Sequence, residues 1–251
     1  MTTNYARLYG LIGYPLGHSF SQDYFNRKFE AENIDARYIN FEIPEIADLK
    51  LILDHNRNLN GLNVTIPYKQ QVIAMLDEMD PEAAEIGAVN VIKFIRRNGR
   101  LILKGYNSDI IGFRDSIAPM LTDHHSHALV LGTGGASRAV SYALRSLGIE
   151  VRLVSRTATR GVITYADLTP DIIDTHKIIV NTTPLGMYPH VDECPDIPYN
   201  LLTEHHLCYD LLYNPDVTLF MKKSADAEAE VKNGLEMLLL QAFAAWQIWQ
   251  R

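Results

Sequence analysis

The sequence predicts an α/β protein with two domains, each built around a mainly parallel sheet. Strand-like and helix-like stretches alternate from one end to the other, which is typical of parallel sheets. A new apolar strand follows the polar run 122–127, and 251 residues that are 47% hydrophobic can bury two cores of moderate size. We expect domains at 1–108 plus 237–251 and at 109–236, with the cleft between them as the default ligand site.

The first domain is predicted from apolar runs that alternate with helical periodicity. Phe20, Tyr24, Phe25 and Phe29 share one face of a predicted helix at 20–32. Asn98 and Gly99 mark a hairpin turn between the last two strands. The remaining helices are expected at 46–55 and 69–76, and the strands at 8–14, 37–43, 61–66, 88–95 and 101–106.

The second domain repeats the alternation but has one short connection. Strands are predicted at 128–131, 150–154, 162–165, 177–181 and 208–212. Helices are predicted at 110–121 and 136–147. The chain is also predicted to be helical after Val217, with a break at Asn233 and Gly234. The apolar helix 235–249 that follows the break is expected to pack back on the first domain. A parallel crossover needs roughly a dozen residues, more than separate 150–154 from 162–165, so we expect a truncated sheet edge without its crossover helix.

Composition excludes several classes of function. A net charge of −7 argues against a general nucleic-acid or anionic-membrane surface. The two cysteines, Cys194 and Cys208, fit a reducing compartment, and the chain lacks a signal pattern and a long apolar run. We therefore expect a cytoplasmic protein, a monomer or homodimer, with small-molecule partners. The His124, His125 and His127 cluster is interpreted as a solvated loop, and no metal site is predicted.

A glycine-rich turn follows the strand at 128–131. Gly132 permits the tight turn, and Gly134 lets the backbone approach a pyrophosphate at the start of the helix predicted from Ala136. Ser137 stands where the fingerprint has Gly or Ala, which weakens the match but keeps a small side chain. The position between a strand and a helix predicts a Rossmann-like dinucleotide-binding domain.

The end of the next strand indicates which dinucleotide is bound. An NAD site usually carries Asp or Glu here, whereas this chain has Ser155, Arg156, Thr157 and Arg160. Arginines and hydroxyls suit a 2′-phosphate, which a guanidinium binds through charge-assisted hydrogen bonds. The prediction is NADP, and the alternative is a solvated basic loop.

Polar side chains near the predicted strand ends are candidates for catalysis. Thr65 and Lys69 lie just past the carboxyl end of the strand at 61–66, where open α/β sheets bind ligands; the alternative is an exposed lysine that begins a surface helix. Ser19 and Ser21 are two residues apart, so on an extended segment both could face one carboxylate, or Ser19 could simply cap a helix. Asp109 could assist Lys69, cap the next helix, or do both.

Taken together, seven segments resemble the shikimate dehydrogenase family in order and nearly from end to end. The resemblance implies NADP-dependent, reversible reduction of 3-dehydroshikimate to shikimate, a step of chorismate and aromatic amino acid biosynthesis. Gln22, Val91, Ser108 and Ser155 depart from the residues usual in the family. The matching segments are 13–21, 63–69, 87–90, 105–112, 181–187, 210–215 and 233–242.

The resemblance also implies roles for individual residues. Lys69 and Asp109 would be catalytic, with Lys69 supplying a proton or charge stabilisation to the developing alkoxide; its protonation state stays open. Substrate binding would involve Ser19, Ser21, Thr65, Asn90, Tyr213 and Gln241. Cofactor binding would involve Gly132, Gly134, Gly135, Ala136, Ser155, Arg156, Thr157, Arg160, Thr182, Leu211 and Gly234.

Three alternatives remain at this stage. A quinate or dual quinate/shikimate dehydrogenase would share the fold, although the paired serines and the arginine-rich loop favour shikimate with NADP. A non-catalytic NADP-binding paralogue would be expected to lose Lys69 or Asp109, and both are present. A folate-type dehydrogenase would need neither the two serines nor Gln241.

Overall fold

The computed structural model describes residues 5–17 and 19–251. The chain divides into two compact units. The first unit runs through Ser108 and includes Ala242–Arg251, and the second unit is Asp109–Gln241. The expected α/β fold, with two sheets rich in parallel pairs, is confirmed.

The first unit contains a mixed six-stranded sheet with the order β2-β1-β3-β5-β6-β4. β1 is parallel to β2 and β3, whereas β5 is antiparallel to both β3 and β6. Its strands are β1 Arg7–Gly13, β2 Ala36–Glu42, β3 Leu59–Val64, β4 Glu78–Met79, β5 Val91–Arg97 and β6 Arg100–Tyr106. Its helices are α1 Phe20–Ala31, α2 Leu49–His55 and α3 Pro81–Ile86, with 3₁₀ turns at Ile46–Asp48 and Gln71–Met75.

The second unit contains an all-parallel sheet with the order β12-β11-β10-β7-β8-β9. Its strands are β7 His127–Leu131, β8 Glu150–Ser155, β9 Val162–Thr164, β10 Ile178–Asn181, β11 Leu207–Asp210 and β12 Glu230–Lys232. The helices are α4 Asp109–Ile117, α5 Gly135–Ser146, α6 Pro170–Thr175, α7 Leu219–Asp226 and α8 Leu235–Gln250. The boundary between the units falls inside α8.

Aromatic side chains fill one face of the first sheet. Of the four residues on the predicted face of α1, Phe25 and Phe29 are buried, whereas Phe20 and Tyr24 are only half-buried. Phe25 stacks on Tyr38 with ring centroids 4.9 Å apart, and Tyr9 lies 4.8 Å from Trp249 of α8. The Trp249 indole donates to the Ile92 carbonyl at 3.1 Å, so the end of α8 belongs to this core.

The expected truncated edge of the second sheet is confirmed. β8 connects to β9 through residues 156–161 without a helix. β9 is nevertheless parallel to β8, with Leu153 paired to Val162 and Ser155 to Thr164. Because β9 pairs only with the last three residues of β8, the chain reverses over a short distance and needs no crossover helix.

Several predicted elements were wrong. The helix expected at 69–76 is only the 3₁₀ turn Gln71–Met75, which has no side-chain cap and is too short for a stable α-helix. The helix expected to reach residue 121 ends at Ile117, and Pro119 shapes the 3₁₀ turn that follows it. The region after Val217 also contains β12, where a helix was expected, and α3 and α6 were missed. Within the described ranges, the helices are all too short or too polar to cross a bilayer.

Candidate active site

The segment that follows β3 is anchored on both sides. Thr65 donates its backbone N–H to the Ile12 carbonyl at 2.9 Å, and the Tyr68 hydroxyl donates to the Ile43 carbonyl at 2.6 Å. The Lys69 carbonyl accepts the Val89 N–H at 2.7 Å. These bonds fix the backbone of the half-exposed residues Thr65 and Lys69 at the carboxyl end of the strand, as the sequence predicted.

A glycine at the end of β1 permits this arrangement. A Cβ atom at Gly13 would lie 2.5 Å from the Thr65 methyl group and 3.1 Å from the Ile66 carbonyl oxygen. Any side chain here would push Thr65 away from β1. Gly13 therefore brings the ends of β1 and β3 together beneath the candidate residues.

The two serines differ in conformation. Ser19 is the extended N-cap of α1, and its hydroxyl accepts the Gln22 N–H at 3.4 Å. Ser21 lies in the first turn of the helix, so the expected arrangement of both serines on one extended segment is wrong. The helix begins directly after Ser19 because this residue supplies the cap. The Ser21 side chain lies close to Tyr38 on β2 and opposes the rise in the pKa of that tyrosine.

A series of hydrogen bonds crosses the sheet from Tyr38 to Ser108, and we call it the polar chain. The Tyr38 hydroxyl donates to Asn63 Oδ1 at 2.8 Å, and Asn63 Nδ2 donates to the Asn90 carbonyl at 3.3 Å. Asn90 Nδ2 donates to Ser108 Oγ at 3.0 Å, while Asn90 Oδ1 accepts the Ser108 N–H at 2.7 Å. Desolvation raises the pKa of Tyr38 well above its usual value. The first unit therefore joins Tyr38 to Asn90 by hydrogen bonds that cross the sheet.

The hydrogen bonds of Tyr38 and Asn63 were not predicted from the sequence. An asparagine inside the buried strand β3 was the one available signal, because a polar side chain in an apolar strand needs partners. Tyr38 carried no such signal, since an aromatic residue in a strand is ordinary.

In the second unit, Asp109 and Gln241 lie on two helices that touch. Asp109 is buried and is itself the first residue of α4. One turn later, a Cβ at Gly112 would lie 2.6 Å from the Met237 carbonyl oxygen and 2.9 Å from Gln241 Cβ, so α4 and α8 meet at this glycine. The Gln241 amide also donates to the Leu238 carbonyl at 3.1 Å. Tyr213 is exposed after β11.

The turn after β7 has the geometry of a phosphate cradle. Gly132 has a φ of 111°, and a Cβ there would lie 2.7 Å from the Thr182 hydroxyl oxygen, so only glycine fits. Gly134 is the N-cap of α5, whose first residues are Gly135 and Ala136, and a Cβ at Gly134 would meet no atom within 4 Å. The backbone N–H groups at this helix start are therefore open to an anion.

Ser137 fits the position of the glycine-rich fingerprint at which Gly or Ala is usual. Its side chain is buried, and its hydroxyl donates to the Gly134 carbonyl at 2.8 Å. The serine is thus accommodated without opening the packing between α5 and the sheet.

The next strand ends beside this cradle, because β8 pairs with β7 with Leu131 opposite Val154. Ser155 is the last residue of β8, and Arg156, Thr157 and Arg160 are exposed in the connection that follows. The fold therefore brings the arginines to the same sheet edge as Gly132.

A buried carboxylate organises the loop after β11 and was missed by sequence reasoning. Asp210 accepts the Thr218 hydroxyl at 2.6 Å, the Leu212 N–H at 3.0 Å and the Asn181 side-chain amide at 3.1 Å. Desolvation raises the pKa of Asp210, while these bonds oppose the rise. In the same region a Cβ at Gly234 would lie 2.0 Å from the Leu211 carbonyl oxygen, so the two backbones touch.

Within the described part of the chain, no group of three or more His, Cys, Asp or Glu side chains is arranged to hold a metal. His125 is buried, and its Nδ1 accepts the Thr122 N–H at 3.0 Å. Desolvation lowers the pKa of His125.

Comparison with known proteins identifies the family. Residues 11–92 match the model of the shikimate dehydrogenase substrate binding domain. The NADP(+) shikimate dehydrogenase of Carboxydothermus hydrogenoformans is 38% identical over 260 residues, which cover 97% of this chain and 91% of the relative.

Solved structures agree with this relationship. The shikimate 5-dehydrogenase of Thermus thermophilus in complex with NADP(H) and shikimate superposes with a TM-score of 0.84 at 30% identity, covering 97% of this chain and 93% of that one. The quinate dehydrogenase of Corynebacterium glutamicum in complex with NAD gives a TM-score of 0.85 at 27% identity, covering 98% and 94%. The chain belongs to the shikimate dehydrogenase family of NADP-dependent oxidoreductases.

Proposed function

We propose that this chain catalyses the reversible, NADP-dependent reduction of 3-dehydroshikimate to shikimate, a step of chorismate and aromatic amino acid biosynthesis. Family membership over nearly the whole chain carries the proposal. The fixed backbone of Lys69, bonded to Val89 next to Asn90, supports it by giving an acid–base candidate a defined place beside a substrate-binding candidate.

The residues of the second unit fit the cofactor. When bound, NADPH supplies the hydride that reduces the ketone. The N–H groups from Gly134 to Ala136 would hold the pyrophosphate at the start of α5, where the helix dipole favours an anion. Arg156 and Arg160 would bind the 2′-phosphate, with Ser155 and Thr157 as further donors. Thr182, Leu211 and Gly234 would line the nicotinamide end.

The roles proposed toward the substrate follow from the charge and the hydrogen-bonding groups of each side chain. Lys69 would give its proton to the developing alkoxide oxygen as the ketone is reduced. Asp109 would accept a hydrogen bond from a substrate hydroxyl. Ser19 and Ser21 would bind the carboxylate, and the remaining polar groups would orient the ring: Thr65, Asn90, Tyr213 and Gln241.

The experiment compares two lysine variants of the first unit in shikimate oxidation with NADP+. Lys69→Ala is expected to lower kcat by about 10²–10⁴, the usual span for a positioned acid–base group. Lys104→Ala is the matched control, since Lys104 is also a half-exposed lysine of the first unit; it pairs with Glu78 at 3.8 Å and lies over the Tyr106 ring. A folded Lys69→Ala enzyme with the turnover of Lys104→Ala would contradict the assignment.

The proposal also covers the oligomeric state of the chain and the cellular compartment in which it works. We propose a monomer or homodimer, which light scattering after size-exclusion chromatography will distinguish from larger assemblies. Cys194 and Cys208 are both free thiols, which suits the reducing cytoplasm.

A further inference from the structure

Two neighbouring strands of the second sheet, β10 and β11, end on polar side chains that are fully buried. Asn181 is the last residue of β10 and Asp210 is the last residue of β11, and the two are paired in the register of the sheet. The Asn181 side-chain amide donates to Asp210 Oδ1 at 3.1 Å. Buried polar groups need hydrogen-bond partners, so this pair fixes the groups that bond to it.

Each member of the pair holds the loop that leaves its own strand. Asn181 Oδ1 accepts the Thr183 N–H at 3.0 Å and the Thr183 hydroxyl at 2.7 Å. Asp210 accepts the Leu212 N–H through Oδ1 at 3.0 Å and the Thr218 hydroxyl through Oδ2 at 2.6 Å. The bond between Asn181 and Asp210 therefore connects the loop after β10 to the loop after β11.

The chemistry of a carboxylate suits this position. An ionised carboxylate only accepts hydrogen bonds and has about four lone pairs, so Asp210 can take three donors at once. An asparagine of the same shape has one acceptor oxygen and an NH₂ group that only donates. With asparagine at position 210, at least one of the three donors would face another donor.

The two loops begin with residues that are assigned above to the cofactor. Thr182 directly follows β10, and its N–H and its hydroxyl donate to the Leu131 carbonyl at 3.0 Å and 2.6 Å. A Cβ at Gly132 would lie 2.7 Å from the Thr182 hydroxyl oxygen, so this loop touches the phosphate cradle. Leu211 directly follows β11, and its backbone touches Gly234 in the turn before α8.

We propose that Asp210 is a positioning residue for the cofactor. By binding Asn181 and its own loop at the same time, it sets the distance between Thr182 and Leu211 at the nicotinamide end of NADP. This inference rests on the proposed function, because it uses the cofactor roles of those two residues. Without the bonds of Asp210, the loops would have to be ordered when the nicotinamide half binds, and such ordering lowers the affinity.

The test compares the binding of two ligands to Asp210→Asn and to the wild type by isothermal titration calorimetry. One ligand is NADP+, and the other is adenosine 2′,5′-bisphosphate, which has the adenine, the ribose and the 2′-phosphate but no nicotinamide. Asp210→Asn should raise the Kd for NADP+ about tenfold and the Kd for the bisphosphate less than about twofold. A general loss of structure in the second unit would weaken both ligands alike.

Thr218→Val is a second variant for the case in which Asp210→Asn does not fold. Valine keeps the shape of threonine and the Asp210 carboxylate stays in place, but one of its three donors is lost. The Kd for NADP+ should rise about threefold, again with less than about a twofold change for the bisphosphate.

Tyr209→Phe is the matched control. Tyr209 is the neighbour of Asp210 on β11 and is also fully buried, and the substitution removes its bond to the Ser116 hydroxyl at 2.8 Å. Because this bond does not involve either loop, both Kd values should equal those of the wild type.

Two results would overturn the inference: a wild-type Kd for NADP+ in Asp210→Asn, or an equal rise in the Kd for both ligands. Failure of the proposed function would look different. A wild-type chain that binds NADP+ but does not oxidise shikimate would overturn the proposed function, while the comparison of the two Kd values would still test the role of Asp210, since it uses no acid substrate.

Discussion

The two units hold their candidate residues by different physical means. In the first unit, polar side chains bond to one another and to the backbone, as in the link from Tyr38 through Asn63 to the Asn90 carbonyl. In the second unit, two candidate positions admit only glycine: Gly132 has a φ of 111°, and a Cβ at Gly234 would collide with the Leu211 backbone. Loss of one polar atom from the polar chain should therefore cost less than the addition of one methyl group at Gly234.

The largest expected effect breaks the close approach in the second unit. A Cβ at Gly234 would lie 2.0 Å from the Leu211 carbonyl oxygen, and a backbone atom cannot yield as a side chain can. Gly234→Ala should lower the free energy of unfolding by about 3 kcal/mol or more, measured by denaturant titration.

Gly134→Ala is the matched control, because its Cβ would enter open space. Its cost should stay near about 1 kcal/mol, the preference of an N-cap for glycine over alanine. Equal destabilisation in the two variants would show that close approach does not set the tolerance of this unit.

A smaller effect is expected in the polar chain. Asn63→Ala leaves the buried Tyr38 hydroxyl without its acceptor, which should cost about 1–3 kcal/mol. Asn60→Ala changes the same residue type on the same strand, where the side chain accepts a surface bond from Arg96 at 3.3 Å. That control should change the free energy of unfolding by less than about 0.5 kcal/mol. Similar losses in both variants would mean that the buried bonds contribute no more than surface bonds.

The smallest effect expected from a single residue is on the pH dependence of the free energy of unfolding. It also distinguishes the two units, because the histidines concerned all lie in one of them. In the described part of the chain, the buried histidines are His125, His176 and His206, all in the second unit. His125 and His206 occupy matching turns, since each Nδ1 accepts the N–H of a threonine three residues earlier, at 3.0 Å. A protonated Nδ1 could not accept that bond.

Desolvation is the main reason that the pKa of each of these three histidines is lowered in the folded chain. Neighbouring charged groups also shift these pKa values: the carboxylates raise them and the basic groups lower them. The groups that act are Glu230 and His124 on His125, Asp174 and Lys177 on His206, and Glu150, Arg152 and His127 on His176.

The sign of the pH effect follows from proton uptake. Between the lowered folded pKa and the unfolded value near about 6.5, the unfolded chain binds more protons. The stabilisation is therefore complete above about pH 6.5 and is lost as the pH falls below it, by up to about 1.4 kcal/mol per pH unit for each histidine. Denaturant titrations of the wild type and His206→Gln across this range should show a flatter slope for the variant. Identical slopes would contradict the role of His206.

The sequence predicted the order of most strands and helices because their apolar periods are long and clear. It missed α3 and α6, although Asp80 and Thr169 cap them and a proline follows each cap at the first helical position. Six-residue helices leave too few turns for a periodic signal. The capping pattern alone could have predicted both.

The candidate site was predictable only in part. Motif positions such as Lys69 and Gly132 lie next to strands that could be read from the sequence. The bond between Tyr38 and Asn63 could not be read, because the two residues are on the strands that flank β1 and are 25 positions apart. Which side chains meet across a sheet depends on strand order and register, and one sequence does not determine these.

The most direct measurement of the central claim is the initial rate of the purified chain with shikimate and quinate, each with NADP+ and NAD+. Two observations favour shikimate with NADP+, namely the full-length relatives and the exposed arginines after β8. The account predicts the highest kcat/KM for that pair. No turnover with shikimate, or a higher kcat/KM for quinate with NAD+, would contradict it.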